Sequence, residues 1–219
     1  ALDAANGQVC PAFADKGTLH LEKGMPYNPA GYYYSTSPPV VAAGKIIVGG
    51  AVNDNYSTQE QSGVIRAFDI NTGALVWNWD SGNPDITTPL PEGQTYTHNS
   101  PNSWSVSSAD EKLGLLYVPL GNQTPDQLGA GRSANVEKFS SSIVALDLNT
   151  GQTSLVLQND GYSGFVTDND LELRTHLRMN GSWHRYRPGE RWRRPPSRGR
   201  LLPRVPGAVG VGFVGPVVG

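Results

Sequence analysis

The sequence has a single cysteine, Cys10, among its 219 residues. One thiol excludes an internal disulfide framework and any metal cluster held by cysteines alone. Long apolar runs are also missing: glycine and proline interrupt the apolar segment at 207–219, and no run approaches the ~20 residues of a membrane-spanning helix. The first residues lack the charged and then apolar pattern of a signal peptide. We therefore expect neither a disulfide-stabilised domain nor a membrane helix, and the compartment stays open.

Charged residues are scarce, at 16% of the chain, whereas turn-forming residues are abundant, with 26 glycines and 17 prolines. This balance disfavours a helical bundle and favours many short strands joined by turns. The sequence therefore predicts an all-β fold.

The few charges are distributed unevenly. Residues 1–173 contain 7 basic and 18 acidic residues, whereas residues 174–219 contain 10 basic residues and 1 acidic residue. Every basic residue of the second part is an arginine, whereas the first part has five lysines and two arginines. The change in both charge and residue type indicates that the two parts differ in origin.

One short pattern occurs three times: ALDAANGQVC from Ala1, AFDINTGALVW from Ala67 and ALDLNTGQTSL from Ala145. In each copy an aspartate follows the alanine by two residues and a glycine follows it by six. The alternation before the turn is typical of a strand, and glycine supplies the positive φ that such a turn requires. The spacing between copies leaves room for about four strands each, the size of one propeller blade.

Four further segments have the composition of strands and are flanked by glycine, proline, asparagine or aspartate. They are residues 45–52, 63–70, 113–121 and 141–148. Together with the repeat they predict a β-propeller. A β-sandwich with coincidentally similar turns is the alternative.

The third copy of the repeat differs from the second at an aromatic position. The second copy has Trp77 ten residues after its alanine, whereas the third has Leu155 there. Codons for residues 153–160, read one base later, can encode tryptophan at that position. We therefore predict a frameshift near Gln152, so that residues 153–219 form an irregular, out-of-frame or disordered tail rich in arginine, proline and glycine.

Three longer segments resemble the quinoprotein glucose dehydrogenase family almost word for word. They are GVIRAFDINTGALVWNWDSGNPD, NSPNSWSVSSADEKLGLLYVPLGNQTPDQ and SSIVALDLNTGQ. The resemblance covers residues 1–152 and is strongest to the membrane-bound members. It implies an eight-bladed propeller with pyrroloquinoline quinone (PQQ) on its axis, of which this chain would hold about three blades.

The resemblance also implies where the cofactor would bind. Family members place a tryptophan under the flat quinone, and Trp104 in NSPNSWSVSS matches it; an indole offers a large flat surface at little entropic cost. Thr36, in STSPPV, matches a position that donates a hydrogen bond to a cofactor carboxylate in relatives. On the residues alone, a packed core position is the alternative for Trp104, and the start of a strand is the alternative for Thr36.

A cation beside the quinone is expected from the same resemblance, at Asp54 and Asn55 in AVNDNYST. Their carboxylate and amide oxygens suit Ca²⁺ or Mg²⁺, although Asn-Asp-Asn on its own is typical of a turn. Asn122, in PLGNQTPD, matches an amide ligand of related alcohol dehydrogenases, and a turn asparagine is the alternative.

No catalytic residue can be assigned. The family's general base lies in an HxDLWDxD segment after the third repeat, and DNDLEL at 168–173 is similar to it only in part. The lysine that contacts the quinone oxygen in relatives has no counterpart, because no lysine follows Lys138. His98 and Asn99 could line the substrate entrance, but a lone histidine is more often structural, and both are left out of the catalytic set.

The resemblance implies a parent enzyme that oxidises D-glucose to D-glucono-1,5-lactone and passes electrons to ubiquinone. It would act at the periplasmic face of the inner membrane, tethered by an N-terminal membrane segment that these residues do not include. We expect the isolated chain to be inactive, because three blades cannot close a ring.

Three other functions are compatible with parts of the sequence. A quinoprotein dehydrogenase for another polyol or alcohol keeps the enzyme class. A non-enzymatic propeller scaffold would share the tryptophan-containing repeat but does not account for NSPNSW or NDNYST. The arginine-rich tail, with Trp183 and Trp192 interleaved, could bind nucleic acid by phosphate contacts and stacking, but its predicted frameshift origin argues against a nucleic-acid partner.

Overall fold

The computed structural model describes residues 1–27, 29–53, 55–126 and 129–154, and beyond them the backbone of four short strands. The chain divides into two compact units, Ala1–Val156 and Leu157–Gly219. All site residues predicted from the sequence belong to the first unit. Asp54, one of the two main metal-binding candidates, lies outside the described residues.

In its described residues the first unit contains ten strands and one short helix. The strands are β1 (Tyr33–Tyr34), β2 (Val40–Ala42), β3 (Lys45–Val48), β4 (Ala51–Val52), β5 (Ile65–Asp69), β6 (Leu75–Trp79), β7 (Ser108–Asp110), β8 (Leu115–Pro119), β9 (Ile143–Asp147) and β10 (Thr153–Ser154). The helix, α1, spans Ala134–Phe139 and begins at Ser133, whose hydroxyl accepts a hydrogen bond from the backbone N–H of Val136,.

Two four-stranded antiparallel sheets form the framework of the first unit. The first blade has the strand order β2-β3-β5-β6, and the second has the order β7-β8-β9-β10. Each strand therefore pairs with the next one of its sheet, which is the arrangement of a propeller blade. The all-β prediction is confirmed. Of the three predicted blades the structure describes two in full, and the first copy of the repeat contributes a hairpin turn with a bridge between Leu2 and Val9.

The three copies of the repeat fold into the same turn. The glycine of each copy has positive φ, 72° at Gly7, 71° at Gly73 and 71° at Gly151. Its N–H donates to the carbonyl of the aspartate four residues earlier, over 2.8, 2.9 and 2.9 Å. In the second and third copies the carboxylate of that aspartate, Asp69 or Asp147, also accepts two backbone N–H groups and a threonine hydroxyl. The Asp-x-Asn-Thr-Gly sequence therefore determines the turn locally.

The two blades pack through a shared apolar core. Its buried members are Ala42, Ile47, Ile65, Ala67, Trp77, Trp79, Leu116, Val118, Leu120, Phe139, Val144, Leu146 and Leu148. Trp79 is completely buried, and its ring meets Phe139 of α1 edge to face at 5.1 Å. Burial of such large apolar side chains stabilises each of them by about 1.5–3 kcal/mol, so this interface holds the two sheets together.

The strand predicted over residues 45–52 is divided at Gly49 and Gly50. A Cβ atom on Gly50 would lie 2.5 Å from the ring of Tyr33, and one on Gly49 would lie 3.2 Å from Cβ of Ser103. Glycine is therefore required at Gly50, where β4 turns away to pair with β1, and it allows the segment before Trp104 to approach β3 at Gly49.

The second unit is described by the backbone of β11 (Tyr162–Thr167), β12 (Leu173–Arg178), β13 (Trp183–Arg185) and β14 (Val209–Val211), paired in the order β13-β12-β11-β14. This sheet differs from the irregular tail predicted for residues 153–219, because these segments contain the β-branched and aromatic residues that favour strands. The other residues of the predicted tail, from 155 onward, lie outside the described part, and its out-of-frame origin stays a prediction. Within the described residues no helix has the length and apolarity of a membrane span.

Candidate functional site

Three loops of the first unit are joined by one buried side chain, Asn99. Its amide nitrogen donates to the carbonyl of Ser57 at 2.8 Å and to the hydroxyl of Thr124 at 2.6 Å. Its amide oxygen accepts the backbone N–H of Glu60 at 2.7 Å. Asn99 has φ of 53°, a conformation that asparagine tolerates better than most residues. The loops that contain Asn55, Trp104 and the segment after β8 are therefore connected at this residue.

His98 and Glu60 complete the same junction. The ring nitrogen Nδ1 of His98 lies 3.0 Å from the carbonyl oxygen of Glu60. The Glu60 side chain is completely buried, and its carboxylate accepts the backbone N–H of Ser57 at 2.6 Å. These contacts order the loop between β4 and β5. They give His98 and Asn99 a structural role at this junction.

Trp104 lies at the surface, although tryptophan is usually one of the more buried residues. Its side chain is 57% exposed, whereas its backbone carbonyl accepts two hydrogen bonds, from the hydroxyl of Thr36 at 2.7 Å and from that of Ser37 at 2.9 Å. The structure thus brings Thr36 and Trp104, two of the predicted site residues, into direct contact. The exposure of Trp104 does not fit the alternative interpretation, in which this tryptophan is packed in the core.

On its other side the indole of Trp104 approaches Gly121, the residue that follows Leu120 at the end of the β8 segment. A Cβ on Gly121 would lie 3.3 Å from the indole nitrogen. The backbone N–H of Gly121 donates to the carbonyl of Asn102 at 2.9 Å. The exposed ring therefore lies beside the backbone at Gly121, and a side chain there would crowd it.

Asn55 pairs with Asp126, a residue that the sequence analysis did not select. The Asn55 amide nitrogen donates to the Asp126 carboxylate at 3.2 Å, and the Asp126 backbone N–H donates to the Asn55 amide oxygen at 2.9 Å. Asn55 itself has φ of 61°, so the turn interpretation of Asn-Asp-Asn also applies. Asp126 belongs to the same PLGNQTPD segment as Asn122, four residues further on. No local sequence pattern indicates whether Asn122 or Asp126 faces Asn55.

Asn122 is bonded elsewhere. Its amide oxygen accepts the hydroxyl of Ser141 at 2.8 Å, which connects the segment after β8 to the start of β9. Across the described residues no three His, Cys, Asp or Glu side chains converge as a metal would require. Of the described residues predicted to bind the metal, Asn55 is thus the one that faces a carboxylate, that of Asp126. The amide of Asn122 bonds to Ser141 instead.

Three tyrosines form an aromatic cluster beside Asn55. The rings of Tyr27 and Tyr32 meet edge to face at 5.8 Å, and those of Tyr32 and Tyr56 at 5.6 Å. Burial and the neighbouring Tyr56 hydroxyl raise the pKa of Tyr32 above its usual value. Tyr56 is 68% exposed, so the cluster offers solvent an aromatic surface next to the predicted metal-binding loop.

Comparison with known proteins identifies relatives of the first unit. Residues 1–158 match the family described as "PQQ: Glucose/ethanol/alcohol dehydrogenase, beta-propeller domain". The quinoprotein glucose dehydrogenase of Escherichia coli is 46% identical over 152 residues, which are 69% of this chain and 19% of that protein. The glycerol dehydrogenase large subunit of Gluconobacter oxydans is 37% identical over 158 residues, 72% of this chain and 21% of that protein. The chain thus spans about a fifth of the length of these relatives.

Among solved structures, the quinohemoprotein alcohol dehydrogenase from Comamonas testosteroni aligns with a TM-score of 0.52 and 22% sequence identity, covering 86% of this chain and 32% of that one. At this identity the likeness supports the fold alone. The match of residues 1–158 confirms the resemblance that the sequence segments indicated. This chain belongs to the PQQ-dependent dehydrogenase family, within its β-propeller domain.

Proposed function

We propose that residues 1–152 form part of the cofactor site of a quinoprotein dehydrogenase that oxidises D-glucose to D-glucono-1,5-lactone. The observation that carries the proposal is the exposed indole of Trp104, whose side chain is 57% accessible although two hydroxyl groups hold its backbone. The repeat tryptophans Trp77 and Trp79 are, by contrast, 2% and 0% exposed. A large aromatic face kept at the surface by a fixed backbone suits stacking against a planar ligand.

The residues present fit PQQ on chemical grounds. The cofactor is flat and carries three carboxylates, so it needs an aromatic surface and nearby hydrogen-bond donors. Trp104 would bind the ring, and Thr36, whose hydroxyl donates to the Trp104 carbonyl, would be the second cofactor-site residue. When bound, PQQ supplies a two-electron oxidant for the sugar. This chain's residues bind and orient it, and none of them is assigned as the base.

For the cation we propose Asp54 and Asn55 as ligands of Ca²⁺ or Mg²⁺, with Asn122 as a weaker third candidate. The pairing of Asn55 with Asp126 supports Asn55, because it places an amide oxygen and a carboxylate, the hard donors these cations prefer, on facing loops,. Asp54 is proposed from the resemblance alone. Asn122 is the weaker candidate because its amide faces the hydroxyl of Ser141, whereas the amide of Asn55 faces a carboxylate.

Ubiquinone as electron acceptor and the periplasmic face of the inner membrane as location are also proposals, based on the resemblance to membrane-bound members. A sugar is the proposed substrate, and no nucleic-acid partner is proposed. Residues 1–173 hold 18 acidic residues against 7 basic ones, and this balance opposes the phosphate contacts on which nucleic-acid binding depends.

A segment exchange tests the function. Residues 1–152 of this chain would replace the matching segment of the Escherichia coli quinoprotein glucose dehydrogenase, so that the relative supplies the remaining blades, and PQQ-dependent reduction of an electron-accepting dye would be measured. We expect activity with D-glucose that exceeds activity with glycerol, because the identity to the glucose enzyme, 46%, exceeds that to the glycerol enzyme, 37%.

Two controls make the exchange decisive. Trp104→Ala in the hybrid removes the proposed stacking surface and is expected to abolish PQQ binding, whereas Tyr117→Phe on β8 keeps the blade and is expected to leave binding unchanged. A hybrid that folds and reaches the membrane but binds no PQQ would contradict the proposal. Higher activity with glycerol than with glucose would instead favour the alternative, a dehydrogenase for another polyol.

A further inference from the structure

We propose that Thr36 and Ser37 are positioning residues that fix the orientation of the Trp104 indole. The inference rests on the proposed function, in which Trp104 is the stacking surface for PQQ. Their two hydroxyl groups donate to the same backbone carbonyl, that of Trp104, over 2.7 and 2.9 Å. The chain separations are 68 and 67 residues, so the contacts join two distant segments rather than stabilising one turn.

The paired bonds fix a direction as well as a position. A carbonyl oxygen has two lone pairs, and here both are engaged by donors from adjacent residues. The peptide plane that follows Trp104 is thereby held at two points, which limits rotation of the backbone to which the indole is attached. Because the side chain is 57% exposed, few packing contacts hold it, and the backbone becomes the main determinant of where the ring lies.

The donors belong to a stiff segment. Pro38 follows Ser37 and restricts that residue to extended conformations, while the ring of Pro39 fixes the φ of the residue that leads into β2. The carbonyl of Ser37 also accepts the hydroxyl of Ser35 at 2.8 Å. The first strand of a complete blade therefore anchors both hydroxyl groups, and the Trp104 backbone is attached to that blade through them.

The same geometry changes the role expected for Thr36. The resemblance implied that its hydroxyl donates to a cofactor carboxylate. A threonine hydroxyl has one proton to donate, and in this structure that proton goes to the Trp104 carbonyl. The residue therefore acts on the cofactor through Trp104, and a variant that removes the hydroxyl should change the indole even when PQQ is absent.

Fluorine NMR of the full chain labelled with 5-fluorotryptophan tests this without any cofactor. The chain has five tryptophans, and single Trp→Phe substitutions assign the five lines. In Thr36→Val/Ser37→Ala we expect the Trp104 line to move towards the position of free 5-fluorotryptophan, while the lines of the buried Trp77 and Trp79 stay in place. Thr36→Ser, which keeps the donor, and Ser35→Ala, which removes only the neighbouring hydroxyl, should both retain the parent spectrum.

Titration of the hybrid enzyme, which has all its blades, with PQQ in the presence of Ca²⁺ gives the second measurement. We expect the double variant of the hybrid to bind PQQ more weakly than the parent hybrid, by up to about 25-fold, since each of the two neutral hydrogen bonds is worth on the order of a factor of five. If the double variant also displaced the Trp77 and Trp79 lines, the fold itself would be disturbed. The single variants Thr36→Val and Ser37→Ala, which each keep one donor, would then replace it: movement of the Trp104 line alone supports the inference, and an unmoved Trp104 line overturns it.

An unmoved Trp104 line in Thr36→Val/Ser37→Ala would overturn the inference, whatever the cofactor does. Failure of the parent hybrid to bind PQQ, with the Trp104 line of the full chain moving as expected, would instead count against the proposed function and leave the positioning role supported. The two failures are thus separable.

Discussion

The indole nitrogen of Trp77 donates a hydrogen bond to the carbonyl oxygen of Leu148, 3.0 Å away. Trp77 lies in β6, the last strand of the first blade, and Leu148 lies in the repeated turn of the second, so the bond crosses from one blade to the next. A Cβ on Gly151 in that turn would lie 2.7 Å from Cε3 of Trp77. The preceding pair is similar, since a Cβ on Gly73 would lie 3.1 Å from the ring of Phe13. The turns of the second and third copies are therefore docking surfaces for an aromatic residue of the preceding repeat.

We expect Trp77→Phe to destabilise the chain more than Trp79→Phe does. Trp77 loses its bond to Leu148 and leaves a buried carbonyl without that partner, a cost of about 1–3 kcal/mol beyond the lost volume. The buried Nε1 of Trp79 has no hydrogen-bond partner among the described residues, so phenylalanine there removes an unsatisfied donor. Urea unfolding followed by circular dichroism measures both. Equal losses would show that the bond between the blades contributes nothing.

Gly151→Ala and Gly114→Ala separate backbone strain from ring docking. Both glycines have positive φ, 71° and 69°, so alanine at either position costs about 1–2 kcal/mol. At Gly114 no atom lies within 4 Å of the new Cβ, whereas at Gly151 it meets the ring of Trp77. We expect a loss of stability at least twice as large at Gly151. A similar loss at the two sites would mean that the ring moves away freely.

Local patterns predicted much of the fold. Strands β5, β8 and β9 lie inside the segments predicted at 63–70, 113–121 and 141–148, because their alternation and their flanking turn residues depend only on neighbours in sequence. The division of 45–52 at Gly49 and Gly50 was not predicted. It depends on Tyr33 and Ser103, which approach from other parts of the chain.

The candidate site was predictable only through family resemblance. Trp104 and Thr36 were selected separately, and their contact spans 68 residues of sequence. The pairing of Asn55 with Asp126 spans 71. Residue type at a single position does not indicate which distant residue it will face, so the sequence did not indicate that Asp126 would pair with Asn55.

Acid should weaken the fold through the repeated turns. The backbone N–H and hydroxyl of Thr72 hold the pKa of Asp69 below its usual value. Burial would raise the pKa of Asp147, but the N–H groups of Asn149 and Thr150 outweigh it and the pKa is lowered.

Because the native pKa values lie below the unfolded value of about 3.9, these carboxylates stabilise the fold above that pH, and the contribution is lost as pH falls through the native values. The urea concentration at the unfolding midpoint should therefore fall below about pH 4 in the parent chain. It should fall less in the double variant Asp69→Asn/Asp147→Asn. Substitution of the exposed Asp85 by asparagine is the control and should leave the parent profile unchanged.

Arg66→Lys is expected to destabilise the chain by about 2–3 kcal/mol, although it keeps the charge. The guanidinium is 2% exposed and donates to the carbonyls of Leu21 and Lys23 at 2.6 and 3.1 Å. A single ammonium group cannot reproduce this planar pair of donors. Tyr33→Phe, which removes only a hydroxyl 3.4 Å from Arg66, should cost less than 0.5 kcal/mol. Thermal unfolding compares the stability of the two variants. If Arg66→Lys unfolds at the same temperature as the parent chain, the paired donation of the guanidinium to the two carbonyls contributes nothing to stability.

The reading frame is expected to change near codon 152 of the gene. Position 155 in the third copy of the repeat is equivalent to Trp77 in the second. Because Trp77 docks on the turn of the next blade, we expect an aromatic residue at position 155, but the residue there is Leu155. The family match ends at residue 158, close to the same point. Sequencing of the gene should find one inserted or missing base, and the restored frame should encode tryptophan at this position. Independent reads with an unbroken frame, together with tail peptides such as those around Trp192 detected by mass spectrometry, would refute the frameshift and establish residues 153–219 as native.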